Sequence, residues 1–363
     1  MPLEPLIVPR ELATDLDLGV RREWLEPNGL GGFAMGTVAG PSTRRYHALL
    51  CVATRPPLGR MVLVNRLEEE LVSGDARHPL STNFYPGVVH PEGYRALESF
   101  RLDPWPIWTF RIGELRLERA IYMVHGHDTT VISWRLLGGG PARLRVRPLL
   151  SGRDYHALHH KNPVLRPDAK IESGRVTLSL YDGVPELHLD HDGVYHHAPD
   201  WYYRFQYPVE RERGLDFEED LFSPGELAFE LAENGRAALV LTTEGPALSD
   251  FAALEAKERT RRAALTDAVD DPVIARLTAA ADSFVVARAE HRTIIAGYPW
   301  FTDWGRDTFI ALPGLALATG RVELAGELLA AFAPHLEEGL VPNRFPDGGE
   351  APEYNAADAP LWY

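Results

Sequence analysis

One short stretch of this chain, "YPWFTDWGRDTFIALPG" at residues 298–314, combines the residue types that sugar chemistry requires. Aromatic faces such as those of Trp300 and Trp304 accept the apolar side of a pyranose ring. Paired donors and acceptors such as Arg306 and Asp307 bind adjacent hydroxyl groups with fixed geometry. A helix predicted to begin near Asp307 would also point its free N–H groups and its positive end into the space beside them. The stretch therefore suits a sugar-binding wall.

A simpler interpretation of the same stretch stays open on composition alone. Asp307 is a good helix-capping residue, and Trp300 and Trp304 could pack in a core. The two interpretations differ in whether the aromatic side chains face a pocket or the interior.

The last stretch, residues 339–363, is a long polar segment between two predicted helices. Long loops on a rigid scaffold commonly carry function. Asp358 precedes an apolar helix start, "APLWY", and is the strongest acidic candidate, whereas Asp347 and Glu350 are more typical of solvated loops. The polar and aromatic members are Asn343, Arg344, Asp347, Glu350, Glu353, Tyr354, Asn355, Asp358 and Trp362. This mixture is typical of the surroundings of a scissile glycosidic bond.

Two other motifs favour structural roles. The segment "NGLGGFAMG" at residues 28–36 lacks the glycine spacing and the strand-to-helix context of a dinucleotide loop, so it predicts a tight turn that passes close to another surface. In "HLDHDG", the residues His188, Asp190 and Asp192 share one strand face and could hold a divalent metal. We expect the wet side of a sheet there instead of a metal site.

Composition limits the classes of function. The 363 residues, 45% hydrophobic and 25% charged, can build a large core and favour two domains over one. A net charge of -15 disfavours nucleic acid and anionic membranes as partners. There is no signal-peptide pattern and no apolar run near the roughly 18 residues that span a bilayer. The single Cys51 fits a reducing cytoplasm and is expected to be buried and inert.

The elements that must position these residues follow from hydrophobic periodicity. Residues 30–245 show short alternating runs separated by turn residues, which predict at least ten strands without an intervening helix. Asp182-Gly183 and Asp192-Gly193 are hairpin signals within them. The predicted fold of this part is a large antiparallel sandwich.

Near Ser249 the period changes to that of helices. The segment "FAALEAKERTRRAALTDA" predicts a linker helix, and two helices around Gly320 follow the aromatic stretch, the second ending at Gly339. An apolar face of another predicted helix consists of Val273, Leu277, Ala280, Ala281, Phe284 and Val285. We therefore predict a sandwich domain at 1–248, a helical linker at 249–270 and the start of a helical catalytic domain at 271–363.

Four motifs carry a family resemblance. "AGYPWFTDWGRDTFIALPGL" and "GLVPNRFPDGGEAPEYNAADAPLWY" resemble the start of the amylo-α-1,6-glucosidase domain of glycogen debranching enzymes. "EWLEPNGLGGFAMGTVAGPSTRRYHALL" and "WYYRFQYPVERERGLDFEEDLFSPG" resemble the N-terminal domain of the bacterial and archaeal members. The matches run from about residue 22 to the end in the family's order.

The resemblance implies a fold and an activity. The fold is a β-supersandwich followed by the first helices of an (α/α)6 toroid. The activity is inverting hydrolysis of the single α-1,6-linked glucose at a trimmed branch of glycogen or another branched α-glucan, without metal or other cofactor. Inversion requires two carboxyl groups about 6.5 to 9.5 Å apart, one acting as acid and one as base.

The resemblance also implies residue roles. Asp358 matches the general acid, while Arg306 and Asp307 match the pair that binds hydroxyls of the terminal glucose. Because a general acid must hold its proton near neutral pH, we expect apolar surroundings for Asp358. The other expected substrate-binding residues are Trp300, Trp304, Asn343, Arg344, Tyr354 and Asn355.

Two features depart from the family pattern. A toroid of twelve helices needs on the order of 200 residues, and the residues after Leu265 suffice for about four helices. The family's general base has no counterpart in residues 1–363. We therefore expect an incomplete toroid and a chain that does not hydrolyse α-1,6 branches by itself.

Two other functions remain open on the sequence. A non-catalytic α-glucan-binding protein would use the same wall without cleavage. A related α-glucosidase or a disaccharide phosphorylase could share the architecture, because one fold serves several chemistries. Phosphate-dependent release of a sugar phosphate would identify a phosphorylase, although the sequence has no phosphate loop. The oligomeric state is not predicted.

Overall fold

The computed structural model describes residues 4–245, 250–346 and 351–363. Strands occupy most of the first 242 residues, and helices dominate from Phe251 onward. Within these described ranges, every helix is too short or too polar to cross a membrane.

The strands form two large antiparallel sheets and two small hairpins. In chain order they are β1 (Leu6–Pro9), β2 (Glu23–Pro27), β3 (Phe33–Thr37), β4 (Ala48–Arg55), β5 (Leu58–Ser73), β6 (Ala76–Pro79), β7 (Thr82–Tyr85), β8 (Val88–Glu92), β9 (Leu97–Leu102), β10 (Pro106–Ile112), β11 (Leu115–Met123), β12 (Thr129–Gly138), β13 (Ala142–Asp154), β14 (Ala169–Glu172), β15 (Arg175–Leu178), β16 (Leu187–His191), β17 (Val194–Gln206), β18 (Glu218–Leu231), β19 (Arg236–Thr242), β20 (Val285–Arg288) and β21 (His291–Ile294).

The helices are short and mostly lie after the sheets. They are α1 (Arg10–Ala13), α2 (Leu16–Val20), α3 (Pro208–Glu212), α4 (Phe251–Ala264), α5 (Pro272–Asp282), α6 (Gly305–Leu312), α7 (Val322–Phe332) and α8 (Ala359–Trp362). Turns of 3-10 helix occur at Gly93–Ala96 and Ala333–His335, and a π turn at Pro313–Leu317 extends α6.

The described strands pair in two layers. One sheet has nine strands in the order β1-β9-β10-β11-β12-β19-β16-β15-β14. The other has eight, with the path β17-β18-β13-β5-β4-β3-β2 and β6 beside β5. All of these pairs are antiparallel. The predicted sandwich of at least ten strands is therefore confirmed.

The main core lies between the two sheets. It contains Leu63 and Leu144 from the eight-stranded sheet and Ile132 and Trp134 from the nine-stranded sheet, all buried. Each large apolar side chain buried in this way contributes about 1.5 to 3 kcal/mol. The indole N–H of Trp134 donates to Glu69 Oε1 at 2.6 Å, so its polar atom is satisfied as well. The alternation in the sequence reflects this one-sided burial.

The two hairpin signals have different outcomes. Asp182-Gly183 lies between β15 and β16, which pair antiparallel as expected. The expected hairpin at Asp192-Gly193 is wrong, because β16 belongs to the nine-stranded sheet and β17 to the eight-stranded one. Asp192 accepts a hydrogen bond from the Ala238 amide at 2.9 Å, and a Cβ on Gly193 would lie 2.6 Å from the Phe229 ring. These contacts lie where the chain passes from the nine-stranded sheet to the eight-stranded sheet.

Two smaller expectations for the sandwich are also wrong. Helix α3 interrupts the strands, although the sequence predicted no helix between residues 30 and 245. Asp190 lies in the interior rather than on a wet sheet face, and the Arg175 guanidinium donates to it at 2.8 Å. In the part of the chain that the structure describes, no cluster of three or more His, Cys, Asp or Glu side chains could hold a metal.

The glycine-rich segment is a tight turn, as predicted. Gly29 and Gly31 have φ values of +74° and +94°, a region that favours glycine. A Cβ on Gly29 would lie 2.4 Å from the His125 ring, and one on Gly31 would lie 2.7 Å from Pro57. These close approaches place the backbone of the turn against His125 and Pro57.

Cys51 is buried as expected, and burial raises the pKa of its thiol to about 12.

The helix predicted within residues 251–268 is confirmed as α4, but the next helix differs from its prediction. Helix α5 ends at Asp282, and Val285 lies in β20, a strand that periodicity did not indicate. Val273 and Leu277, which were expected on a buried face, are exposed. The helix instead buries its small residues, including Ala281.

The helices after the aromatic stretch are confirmed with shifted ends. Helix α6 begins at Gly305, two residues before the expected start. Gly320, with φ of +72°, separates it from α7 as predicted. Helix α7 ends at Phe332 rather than at Gly339. The predicted boundary at 248 and 249 lies outside the described residues, so the domain limits stay a prediction.

A half-buried carboxylate beside the glycine turn predicts a pH-dependent stability. Asp128 Oδ1 accepts from Asn28 Nδ2 at 2.8 Å, and burial raises the pKa of Asp128 to about 6. The folded state therefore holds a proton that the unfolded state loses above about pH 4. This stabilisation is present below pH 4 and is lost as the pH rises through 6.

We expect Asp128→Asn to remove this dependence. The free energy of unfolding of the wild type minus that of the variant should fall by about 2 kcal/mol between pH 4 and 6.5. Urea denaturation across that range measures the difference. Asp75→Asn, at an exposed turn, is the control for loss of one carboxylate. A difference that stays level or rises with pH contradicts the assignment.

Candidate active site

The aromatic stretch forms a loop between β21 and α6 that doubles back on itself. The Phe301 amide donates to the Gly297 carbonyl at 2.8 Å, and the Ala296 amide donates to the Thr302 carbonyl at 2.9 Å. Asp303 then pairs with Ile295 through an isolated β-bridge. The loop therefore has a defined backbone despite its lack of helix or strand.

Asp303 anchors the loop to the β20–β21 hairpin. Its side chain is buried, and Arg288 Nη1 donates to both carboxylate oxygens at 2.8 and 2.6 Å. The Thr293 hydroxyl donates to it at 3.0 Å. Burial raises the pKa of Asp303, and the guanidinium and the hydroxyl lower it in part. Sequence reasoning missed this residue, because its partners lie on the preceding hairpin.

The sandwich holds the other side of the loop. Arg60 on β5 donates through Nη1 to the carbonyls of Pro299 and Phe301 at 3.2 and 3.0 Å. The Tyr155 hydroxyl donates to the Trp300 carbonyl at 3.3 Å. Three successive carbonyls thus face the sandwich, and the loop backbone is fixed from both sides.

Asn343 caps the first turn of α6. Its carbonyl accepts from the Gly305 amide at 2.8 Å, and its Oδ1 accepts from the Arg306 amide at 3.2 Å. A Cβ on Gly305 would lie 2.1 Å from the Pro342 carbonyl oxygen, so only glycine permits this approach. Asp307 is exposed in the first turn, and the simpler interpretation of it as the capping residue is wrong.

The second loop is tied together by the same asparagine. Asn343 Nδ2 donates to Asn355 Oδ1 at 2.8 Å, and the Asn343 amide donates to the Glu353 carbonyl at 2.8 Å. Arg344 pairs with Glu353 at 3.4 Å, and its guanidinium lies 6.0 Å from the centre of the Trp304 ring. These contacts bring residues 343–344 and 353–355 against the start of α6.

Asp358 meets Arg306 at the edge of this cluster. Arg306 Nε lies 3.0 Å from Asp358 Oδ2, with the two side chains 51% and 40% exposed. Trp362 Nε1 donates to the same oxygen at 3.4 Å, from the helix that the sequence predicted after Asp358. The expected apolar surroundings are wrong, because a guanidinium and solvent are the neighbours of this carboxyl group.

The structure therefore gathers six of the predicted site residues. They are Trp304, Arg306, Asn343, Arg344, Asn355 and Asp358. Trp300 packs toward the sandwich, with the Arg44 guanidinium 5.3 Å from its ring. The Tyr354 hydroxyl donates to the His335 carbonyl at 2.8 Å. Asp347 and Glu350 lie outside the described residues.

Phe301 is a further aromatic group that the sequence interpretation did not assign. Its side chain is 49% exposed, and its ring meets the Trp304 ring edge-on at 6.1 Å. The cluster thus contains two adjacent rings, two guanidinium groups, two amides and an exposed carboxylate. Such a set can stack on an apolar sugar face and bind neighbouring hydroxyls.

Two family descriptions match the chain in succession. Glycogen debranching enzyme N terminal matches residues 22–238, which is more than half of the chain. Amylo-alpha-1,6-glucosidase matches residues 279–363, which contain the cluster described above.

Individual proteins match smaller shares of sequence or structure. The glycogen debranching enzyme of Saccharomyces cerevisiae (strain ATCC 204508 / S288c) is 45% identical over 76 residues, which is 20% of this chain and 5% of the yeast protein. The solved structure of a bacterial glucoamylase complexed with acarbose aligns with 92% of this chain at 13% identity, with a TM-score of 0.49. This chain covers 54% of that structure's length.

We expect Asp303→Asn to destabilise the chain, because it leaves the Arg288 guanidinium beside a neutral partner. Breaking a fully buried ion pair costs about 3 to 5 kcal/mol; because Arg288 is 25% exposed, we expect the free energy of unfolding to fall by roughly 2 to 3 kcal/mol. Asp307→Asn, four residues along the same motif and exposed, should change it by less than about 0.5 kcal/mol. Urea denaturation at pH 7 compares the two variants. Equal effects would mean that Asp303 does not anchor the loop.

Proposed function

This chain belongs to the glycogen debranching enzyme family, and we propose that the cluster around Trp304, Arg306 and Asp358 forms the glucose-holding side of an amylo-α-1,6-glucosidase site. The substrate class is glycogen or another branched α-glucan. The proposal rests on the family membership together with one structural observation.

That observation is the pairing of Arg306 with Asp358 at 3.0 Å, two residues along the chain from Trp304, whose ring lies near the Arg344 guanidinium. The Arg306 guanidinium is a forked donor that suits two adjacent hydroxyls, and the ring offers a flat apolar face. Asn343 supports the backbone under Arg306, and Asn355 supports Asn343. A terminal glucose would therefore meet donors, acceptors and an aromatic face held on one rigid helix end.

We assign Asp358 as the acid that protonates the leaving oxygen of the α-1,6 bond. In the free chain the carboxylate pairs with Arg306 and faces solvent. A bound sugar would draw Arg306 to its hydroxyls and exclude water from Asp358, which would free the carboxyl group to contact the leaving oxygen.

An inverting mechanism also requires a carboxylate that activates water on the opposite sugar face. No residue within 1–363 matches the family's motif for that base. We therefore propose that these residues bind branched glucan without releasing glucose from it. A related glucosidase or phosphorylase activity is the competing outcome.

Binding by the 363-residue chain is the first test. We expect retardation in gels that contain phosphorylase limit dextrin, and at least a tenfold loss of affinity in Trp304→Ala and in Arg306→Met, because stacking and charged hydrogen bonds are each worth about 1.4 kcal/mol or more. Arg116→Met is the matched control, since Arg116 is 48% exposed and pairs with Glu98 at 2.8 Å on the sandwich. Equal losses in the control would contradict the assigned site.

Product analysis is the second test. We expect residues 1–363 to release neither glucose nor, with phosphate added, a sugar phosphate from the limit dextrin. Free glucose would contradict our proposal about the base, and a sugar phosphate would indicate a phosphorylase.

Asp358→Asn tests the acid directly. The amide keeps the size of the side chain and loses its transferable proton, so affinity for limit dextrin should change less than about threefold. In any longer form of this protein that releases glucose, the same substitution should lower the rate by about a hundredfold or more. Release at the wild-type rate would show that Asp358 is not the acid.

A further inference from the structure

Arg60 is an unusual residue for the interior of a sandwich. It is fully buried on β5, and among the described residues no carboxylate forms a salt bridge with it. Burying a charged group without an opposite charge is costly, so its other contacts must compensate the guanidinium.

Backbone carbonyls and aromatic faces compensate the guanidinium in part, while its Nη2 is buried without a hydrogen-bond partner among the described residues. Arg60 Nε donates to the Gly31 carbonyl at 2.8 Å, in the glycine turn of the sandwich. Its Nη1 donates to the carbonyls of Pro299 and Phe301, as described above. The guanidinium carbon lies 5.7, 5.6 and 5.2 Å from the ring centres of Phe33, Tyr155 and Tyr298. Two of the three carbonyls and one of the three rings thus belong to the aromatic loop.

We propose that Arg60 is a positioning residue for the sugar site, an inference that rests on the proposed function of the aromatic loop. By holding the carbonyls on both sides of Trp300, it sets the backbone from which Phe301 and Trp304 project. The sandwich thereby determines the geometry of a binding surface that lies in the helical part of the chain.

Phe301 shows what this positioning achieves. Its carbonyl is bound by Arg60 and its amide by the Gly297 carbonyl, while its ring is half exposed against Trp304. An exposed aromatic ring on a fixed backbone loses little freedom when a ligand stacks on it. We place Phe301 beside the glucose held at Trp304, where it contacts the adjoining sugar of the glucan.

Arginine is suited to this task and lysine is not. The planar guanidinium donates in a fixed fork and presents its faces to aromatic rings, so one group reaches both the glycine turn and the aromatic loop. A lysine ammonium is a compact charge that cannot span the same carbonyls with that geometry.

The chain offers a matched control in Arg66, also on β5. Arg66 is buried and donates to the carbonyls of Gly40 and Thr82 at 3.1 and 2.8 Å. Its guanidinium lies 5.8 Å from the Phe205 ring. Arg66 therefore resembles Arg60 in its burial and in its bonds to carbonyls, but these hydrogen-bond and ring contacts all lie within the sandwich.

The experiment compares Arg60→Lys, Arg60→Met and Arg66→Met in the 363-residue chain. Isomaltose is titrated while tryptophan fluorescence is followed, at a temperature well below each variant's melting point. We expect Kd to rise about tenfold or more in Arg60→Met and less in Arg60→Lys, because small misplacements of binding groups are costly. Arg66→Met should keep Kd within about twofold even where it lowers the melting temperature. Equal effects of the two methionine variants on Kd would overturn the proposal.

Hydrogen exchange of the amides in residues 297–305 provides a readout independent of sugar. We expect exchange there to accelerate in both Arg60 variants while the sandwich strands exchange as in the wild type; unchanged exchange in residues 297–305 would overturn the proposal. If Arg60→Met does not fold, Arg60→Lys carries both measurements. If the wild type does not respond to isomaltose, the proposed sugar site fails, and hydrogen exchange still decides the positioning role.

Discussion

A buried guanidinium joins the two parts of this molecule. Arg60 sits inside the sandwich, yet two of its hydrogen bonds go to a loop more than 200 residues later in the sequence. The cation is tolerated only while carbonyl dipoles and aromatic faces surround it, so the glycine turn and the aromatic loop must occupy defined positions. The Ala287 amide adds a second bond to that turn, at the Gly29 carbonyl, 2.8 Å away. The backbone of the candidate site thus depends on the sandwich.

A second constraint operates within the helical part. The amides that begin α6 need acceptors, and the helix has no side-chain cap at Trp304. Asn343 supplies both its carbonyl and its side chain, and its other bonds hold Glu353 and Asn355 against the helix start. The residue that caps α6 therefore also holds residues that lie shortly before Asp358 in the chain. Capping and site assembly are coupled through one residue.

Many of the site residues could be predicted from residue types, but the role of each residue within the site could not. Trp304, Arg306, Asn343 and Asp358 were predicted from chemistry and family resemblance, and the structure brings them together. Asp303, which lies in the same motif, anchors the loop instead of joining that cluster. That division could not be predicted, because composition does not say which neighbouring acid has an arginine from another element beside it. The structure also placed an ionic neighbour at Asp358 where apolar surroundings were expected.

Properties that depend on residues close together in the chain could be predicted from the sequence. They are the alternation of the strands, the change to helical periodicity, the tight glycine turn and the family motifs. The fold class follows from them. Three features depend on contacts between distant segments and were found only in the structure. Strands β16 and β17 belong to different sheets, α5 buries small residues rather than Val273 and Leu277, and Arg60 binds the aromatic loop. Local periodicity indicates how apolar side chains are spaced along the chain. The partner that buries or pairs each of them depends on packing between distant segments.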